Sequence, residues 1–323
     1  MKMRRATCII GLLLLLMVVA CPVGQCVTSE SMFIDELEKE LGPVPKLSKK
    51  YTIGVVLKST INEFWQDIEK GYKETGEKYG VELIFGSVPT EQDVVGQLDL
   101  TETMINRNVD ALLVSPLTAN CLIPALERAY KKGIAIINVG DAQVTEVPTV
   151  TYLRFDEYQT ASSAAELMAK AIGSGKVMCI EGLAGATITA LRRDGFVDKV
   201  KTLPQLELVT SLPGNWDRTM AMNAVLDTMK VHPDLKGVFT ANDTMALGAL
   251  AAVESLGKLD QVFIIGIDGT DEAKAMIKEG HRLATFDANP TRFASIALEL
   301  ALRHLEGQTL PKEVKTEYKL IAP

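Results

Sequence analysis

Ile53-Gly54-Val55-Val56-Leu57, followed by Lys58-Ser59-Thr60-Ile61-Asn62-Glu63-Phe64-Trp65, decides how the rest of the chain is read. An apolar run with no polar alternation describes a strand covered on both faces. The residues after it turn polar, then aromatic. From there Phe64, Trp65, Ile68, Tyr72 and Tyr79 mark one face of a helix. Outward from this stretch the succession repeats. Short Val- and Ile-rich runs stand at 81–85, 111–114 and 134–139. Val95, Leu98, Met104 and Ile105 mark one intervening helix, and Leu122, Leu126 and Tyr130 the next. Strand, helix and strand at this spacing predict parallel βαβ units with right-handed crossovers.

The rhythm restarts after Phe155. Helices are predicted at 158–172, 188–202, 218–231, 244–256 and 291–305. Strands are predicted at 177–181, 206–211, 238–239, 262–267 and 283–286, before an extended tail at 314–321. The fold class is α/β, with two doubly wound parallel-sheet lobes. A chain of 323 residues is too long for one ordinary domain and suits two.

The first twenty residues are different in kind. A basic start (Lys2, Arg4, Arg5) precedes a nearly unbroken apolar run at 9–20. As a helix that run spans about 18 Å, short of a hydrocarbon core of about 30 Å, so it reads as a signal peptide and not a membrane span. Val18-Val19-Ala20-Cys21 resembles a lipobox, with Cys21 as the lipid attachment site. Residues 21–50, with Pro43, Pro45 and a Lys-rich end, read as a tether between anchor and body, with one helical turn around 32–41. Cys179 falls in an apolar run and reads as a buried thiol; Cys121 opens a helical stretch and also reads as structural.

Lys and Arg number 34 against 41 Asp and Glu, and without the basic leader the balance falls to near −10. That argues against nucleic acid as a partner. His232, His281 and His304 are far apart, which gives a metal site no support. Gly173-Ser174-Gly175-Lys176 precedes a strand where a phosphate loop would follow one, so it is a turn. Gly182-Leu183-Ala184-Gly185 lacks dinucleotide spacing. No nucleophile, base or paired metal ligand stands out, so the reading is of a non-enzyme without cofactor.

In open parallel sheets, ligands lie beyond the carboxyl ends of the strands. There the sequence places residues 58–65, Ser115-Pro116, Gly140-Asp141, residues 182–193, residues 213–218, Ala241-Asn242-Asp243 and Asp268-Gly269. If the two edges face each other, the cleft between them holds carboxylates, amides, a guanidinium and two Trp. That set suits a polyhydroxylated solute, whose hydroxyls both donate and accept and whose ring faces pack on aromatic side chains. Asp217 and Asp243, at helix starts, are predicted N-caps.

These stretches, in order and nearly end to end from Tyr51, resemble the periplasmic sugar-binding proteins of ABC importers. The likeness is to the ribose/allose group and most to its allose branch. It is carried by Lys58 to Trp65, by Glu181-Gly182-Leu183-Ala184-Gly185 with Arg192-Arg193-Asp194-Gly195, and by Trp216-Asp217-Arg218. Asn242-Asp243-Thr244-Met245 and Gly266-Ile267-Asp268-Gly269 complete it. The resemblance implies two lobes joined by three crossovers and closing on a solute. The first lobe would take residues 51–153 with 289–312, and the second residues 154–288 with 313–323. Carried over by position, Lys58, Asn62, Phe64 and Trp65 would meet the solute from the first lobe, and Arg192, Trp216, Asn242 and Asp268 from the second.

The departures from the family pattern are equally specific. Gly140 stands where the family has an Asp, with Asp141 one place on. Ala288 replaces a family Gln and lies beside Asp287, and Phe155 replaces a small hydroxyl residue. Asp141, Phe155 and Asp287 are therefore added to the candidate site, with a pentose, hexose, polyol or amino-bearing solute as ligand. The implied partners are ABC permease subunits and, through the lipid anchor, the membrane; the protein is expected to be an exported monomer. A sensory subunit that presents its ligand to a chemoreceptor or sensor kinase is the alternative. An exported nucleotide-dependent enzyme finds no phosphate loop, and a repressor built on this core would need a basic DNA-binding segment where the leader stands.

Overall fold

The computed structural model describes residues 30–323. The expected signal peptide, Cys21 and the first part of the tether lie outside the described residues. The chain begins with β1 (Ser31–Phe33) and α1 (Ile34–Leu41), then β2 (Thr52–Val56), α2 (Glu63–Tyr79), β3 (Glu82–Gly86) and α3 (Val94–Asn106). It continues through β4 (Ala111–Val114), α4 (Ile123–Lys131), β5 (Ala135–Val139), β6 (Thr151–Phe155) and α5 (Glu157–Ile172). Next come β7 (Gly175–Glu181), α6 (Thr187–Lys201), β8 (Leu206–Pro213), α7 (Arg218–Val231), β9 (Leu235–Thr240) and α8 (Asp243–Ser255). The chain closes with β10 (Phe263–Asp268), α9 (Asp271–Lys278), β11 (Leu283–Asp287), α10 (Pro290–Leu305), β12 (Glu313–Thr316) and β13 (Lys319–Ile321).

Two sheets result. One runs β1-β12-β6-β5-β4-β2-β3 and the other β13-β11-β10-β9-β7-β8. Every pairing is parallel except β11 with β13. The unbroken apolar runs follow from this arrangement. Successive strand residues point to opposite faces, and both faces are covered. Val55 and Leu113 pack into the layer of α1, α2 and α10, whereas Val56 and Leu112 pack into that of α3 and α4. In the second sheet Met178 and Ile180 face α7 and α8, while Val177 and Cys179 face α5 and α6. Full burial pushes the Cys179 thiol up to about 12, so it is an inert core group.

Three expectations are corrected. Residues 31–41 are no tether: β1 adds a strand beside β12, and Leu37 and Leu41 are buried in the first lobe's core. Their apolar spacing on an acidic helix is what docks them. The extended tail is divided, because β12 pairs with β6 and β1 in the first sheet and only β13 joins the second. The strand β6 keeps Thr151–Phe155 whole in the first sheet, so the chain first crosses after Phe155. The other two crossings are Ala288-Asn289, between β11 and α10, and Glu317-Tyr318, between β12 and β13.

In each sheet the order reverses beside its first long strand: β2 lies between β3 and β4, and β7 between β8 and β9. Those reversals open a crevice at the carboxyl ends of the strands. The two crevices face one another.

Candidate functional site

A cavity lies between the lobes. Ten of the eleven predicted ligand-site residues line it: Lys58, Asn62, Phe64, Trp65, Asp141 and Phe155 together with Arg192, Trp216, Asn242 and Asp268. Asp287 does not. Its carboxylate accepts from the Asn289 backbone N–H at 2.8 Å and pairs with Lys274 at 3.2 Å, so it shapes the second crossing instead. Ala288 is buried in the core and takes no part in the lining.

Lys58 and Asp141 come from the ends of β2 and β5 and form a buried ion pair at 2.6 Å. Burial alone would lower the Lys58 ammonium, but Asp141 and Glu91 outweigh it and hold it above its ordinary value. The second oxygen of Asp141, Oδ2, is buried with no partner among the described residues. Asn62 caps α2, its Oδ1 accepting from the Phe64 N–H at 3.0 Å, and Asn242 caps α8 in the same way through the Met245 N–H. Each cap uses the oxygen and leaves the amide NH2 without a partner among the described residues. Asp217 caps α7 as predicted, but Asp243 is no cap, because Asn242 takes that position. Asp243 is instead fully buried. It accepts from the Gly269 and Thr270 N–H groups and from the Thr285 hydroxyl. Burial still raises its carboxyl to about 6.

Arg192 is held on every side. Nε donates to Glu157 at 2.7 Å, one terminal nitrogen donates to the Ala241 carbonyl at 2.6 Å, and the other to the Tyr318 hydroxyl at 2.8 Å. Asp268 stands 3.6 Å away, and Tyr318 donates on to Glu157 at 2.9 Å. Burial drives the Asp268 carboxyl well above its usual range; Arg192 opposes this, while Asp243 and Glu157 add to it. Arg193 points elsewhere, to Asp194 and Glu181.

The aromatic walls are built under strain. Trp216 has φ of +62° and Asp268 of +134°, conformations that cost a non-glycine residue about 1–3 kcal/mol each. The Trp216 ring rests on Gly182 so closely that a Cβ there would lie 1.9 Å from it, so only glycine fits. The indole N–H is buried without a partner among the described residues. Phe64 and Trp65 meet edge to face at 5.2 Å, and both line the cavity although adjacent helical side chains diverge. Phe155 stacks on Phe293 at 4.4 Å and on Tyr318 at 4.2 Å. Two rings cannot share one face at that distance, so Phe155 is sandwiched and offers the cavity only an edge. Phe155, Phe293 and Tyr318 thus form a three-ring wedge across the crossings.

Sequence reasoning missed Glu91, Glu157, Ile188, Phe293 and Tyr318, which also line the cavity. Glu91 was within reach: residues 87–93 form the loop after β3, on the same strand edge that yielded the others. Glu157 and Tyr318 sit just past two crossings, and no spacing links them to Arg192. Among the described residues no cluster of His, Cys, Asp or Glu could hold a metal, and no helix is long and apolar enough to cross a membrane.

The fold and this cleft define a two-lobed solute-binding protein. Residues 53–309 match the family model described as a periplasmic binding protein domain, and the chain belongs to that family. It is 31% identical to the D-allose-binding periplasmic protein of Escherichia coli K12, over 83% of this chain and 89% of that one. It is 33% identical to the D-ribose/D-allose-binding protein of Pseudomonas aeruginosa, over 84% and 89%. A periplasmic solute-binding protein of Actinobacillus succinogenes 130z, solved with bound D-allose, superposes with a TM-score of 0.81. Its identity is 29%, covering 84% of this chain and 98% of that one. A solute-binding protein of Bacillus halodurans C-125 with bound myo-inositol gives 0.78 at 26% identity, covering 86% and 96%.

Proposed function

We propose that the protein captures a sugar or polyol between its lobes and hands it to an ABC importer. One observation carries this reading: hydrogen-bonding groups from both lobes and aromatic side chains line a single cavity. Donors and acceptors suit hydroxyls, and the rings suit the apolar faces of a sugar. Closure couples the two halves, since a solute touching both shifts the open–closed equilibrium by its differential affinity. The contact already made across the mouth, Glu63 accepting from the Asp271 N–H at 3.3 Å, belongs to a closed form. The basic and apolar leader and Cys21 support export and lipid anchorage, and Cys21→Ala would release the protein from membranes.

A thermal-shift screen of the chain without residues 1–20 tests the capture reading, using pentoses, hexoses, polyols, nucleosides and amino acids. A ligand at a hundred times its dissociation constant adds about 2.7 kcal/mol to the folded state, which is visible as a shift of a few degrees. A shift with a sugar or polyol is expected; shifts from nucleosides or amino acids alone would overturn the reading.

A further inference from the structure

The charge of the cleft is out of balance. Four carboxylates line it, Glu91, Asp141, Glu157 and Asp268, against two cations, Lys58 and Arg192. Both cations are already engaged, Lys58 by Asp141 and Arg192 by Glu157 and Asp268. Asp243 adds another buried acid close enough to act on Asp268. With a neutral solute the excess acids can avoid buried charge only by holding their protons when closure removes the water, whereas a cationic solute would let one of them ionise against it.

The excess is localised. Of the four carboxylates, Glu91 alone has no ion pair within 4.0 Å among the described residues. It accepts a hydrogen bond from the Trp65 side chain, lies in the field of Lys58 and is near enough to Asp141 to feel its repulsion, and burial pushes its carboxyl up. Asp141, whose Oδ2 is buried and has no partner among the described residues, lines the same end of the cleft. That end therefore offers acceptors in excess of donors. A hydroxyl brings one donor, whereas an ammonium brings three and a charge. The Trp65 ring already has the Lys58 ammonium over it at 5.8 Å, and the neighbouring Phe64 ring adds a second surface that attracts cations.

We infer that the solute carries a cationic nitrogen on its sugar or polyol framework, and that Glu91 is the residue that selects it. This rests on the sugar-capture reading and names the class of solute: an amino sugar or aminopolyol, with its ammonium between Glu91 and Asp141 Oδ2. Asn62, Asn242 and Trp216 then serve the hydroxyls and the ring, as donors and walls.

The test is isothermal titration of matched pairs into the full protein. Suitable pairs are D-glucose and D-glucosamine, D-galactose and D-galactosamine, and D-glucitol and 1-amino-1-deoxy-D-glucitol, with the N-acetylated amino sugars as uncharged controls of similar shape. The amino member of at least one pair should bind about tenfold tighter or more, a difference of about 1.4 kcal/mol, and acetylation should remove the gain. In Glu91→Gln the preference should collapse, the amino member falling to within about threefold of its neutral partner in the same variant, about 0.65 kcal/mol. Neutral members that bind as tightly as the amino ones, or a preference unmoved in Glu91→Gln, would overturn this inference and leave sugar capture standing. Silence of every pair would overturn both. The acetylation series needs no variant, so the outcome does not depend on how Glu91→Gln folds.

Discussion

The two halves of the cleft are built on opposite plans. On the second-lobe side, Arg192, Glu157, Tyr318 and Asp268 satisfy one another, and Asp243 is saturated by two backbone N–H groups and a hydroxyl. On the first-lobe side, Glu91 accepts from the Trp65 side chain but has no ion pair within 4.0 Å among the described residues, and Asp141 Oδ2 has no partner among them. A saturated network holds its shape without ligand, while an unsaturated edge has free energy to gain from one. The Arg192 network of the second lobe is therefore the preorganised wall, and the solute completes the structure chiefly at the acids of the first lobe, with the Trp216 indole N–H as the open donor opposite. Mutations on the two sides should accordingly separate stability from recognition.

The largest effect is expected from Arg192→Ala. It strands Glu157 and Asp268 without their cation, and removing one partner of such a buried pair costs about 3–5 kcal/mol. Denaturant titration of the unliganded protein should show that loss, and a loss below about 1 kcal/mol would mean that the second-lobe network is not the rigid half. A pH series comes next. The folded-state pKa of Asp243, about 6, lies above the ordinary value of 3.8, so the folded state holds this proton more tightly than the unfolded one. The contribution is fully present below about pH 4 and is lost as pH rises through about 6, to the extent of about 3 kcal/mol. Asp268 acts in the same direction. Compared with Asp243→Asn, the wild type should lose melting temperature over that window; parallel curves would contradict the assignment.

Smaller effects test the first lobe. Asn62→Ala removes the cap of α2 and should cost about 1 kcal/mol, together with affinity for any solute that uses its amide. Glu91→Gln should change stability by less than about 1 kcal/mol, because Gln keeps an oxygen to accept from Trp65 and no ion pair within 4.0 Å among the described residues is lost. Its effect should appear chiefly in binding.

Most of the fold was legible because both faces of each sheet are covered. The wholly apolar runs at 53–57 and 134–139 have no other easy reading, and the predicted helix at 218–231 coincides with α7. The docking of 31–41 was not legible, since an eight-residue acidic helix shows its partner only once β12 is in place. For the candidate site, the strand-edge rule found Lys58, Asn242 and Asp268 by position. It could not find Tyr318, whose hydroxyl reaches Arg192 across 126 positions of chain. Nor could it show that Phe155 is enclosed by two rings, or that Asp287 turns toward Lys274. Those are consequences of three crossings meeting in space, which local pattern does not encode.

The most direct test of a solute held between the lobes is amide hydrogen exchange with and without the tightest-binding sugar or aminopolyol. At saturation, protection should rise together at residues 57–66 of the first lobe and at residues 240–246 and 266–271 of the second. Protection confined to one lobe, or found only near residues 33–36 and 315–319, would contradict the account.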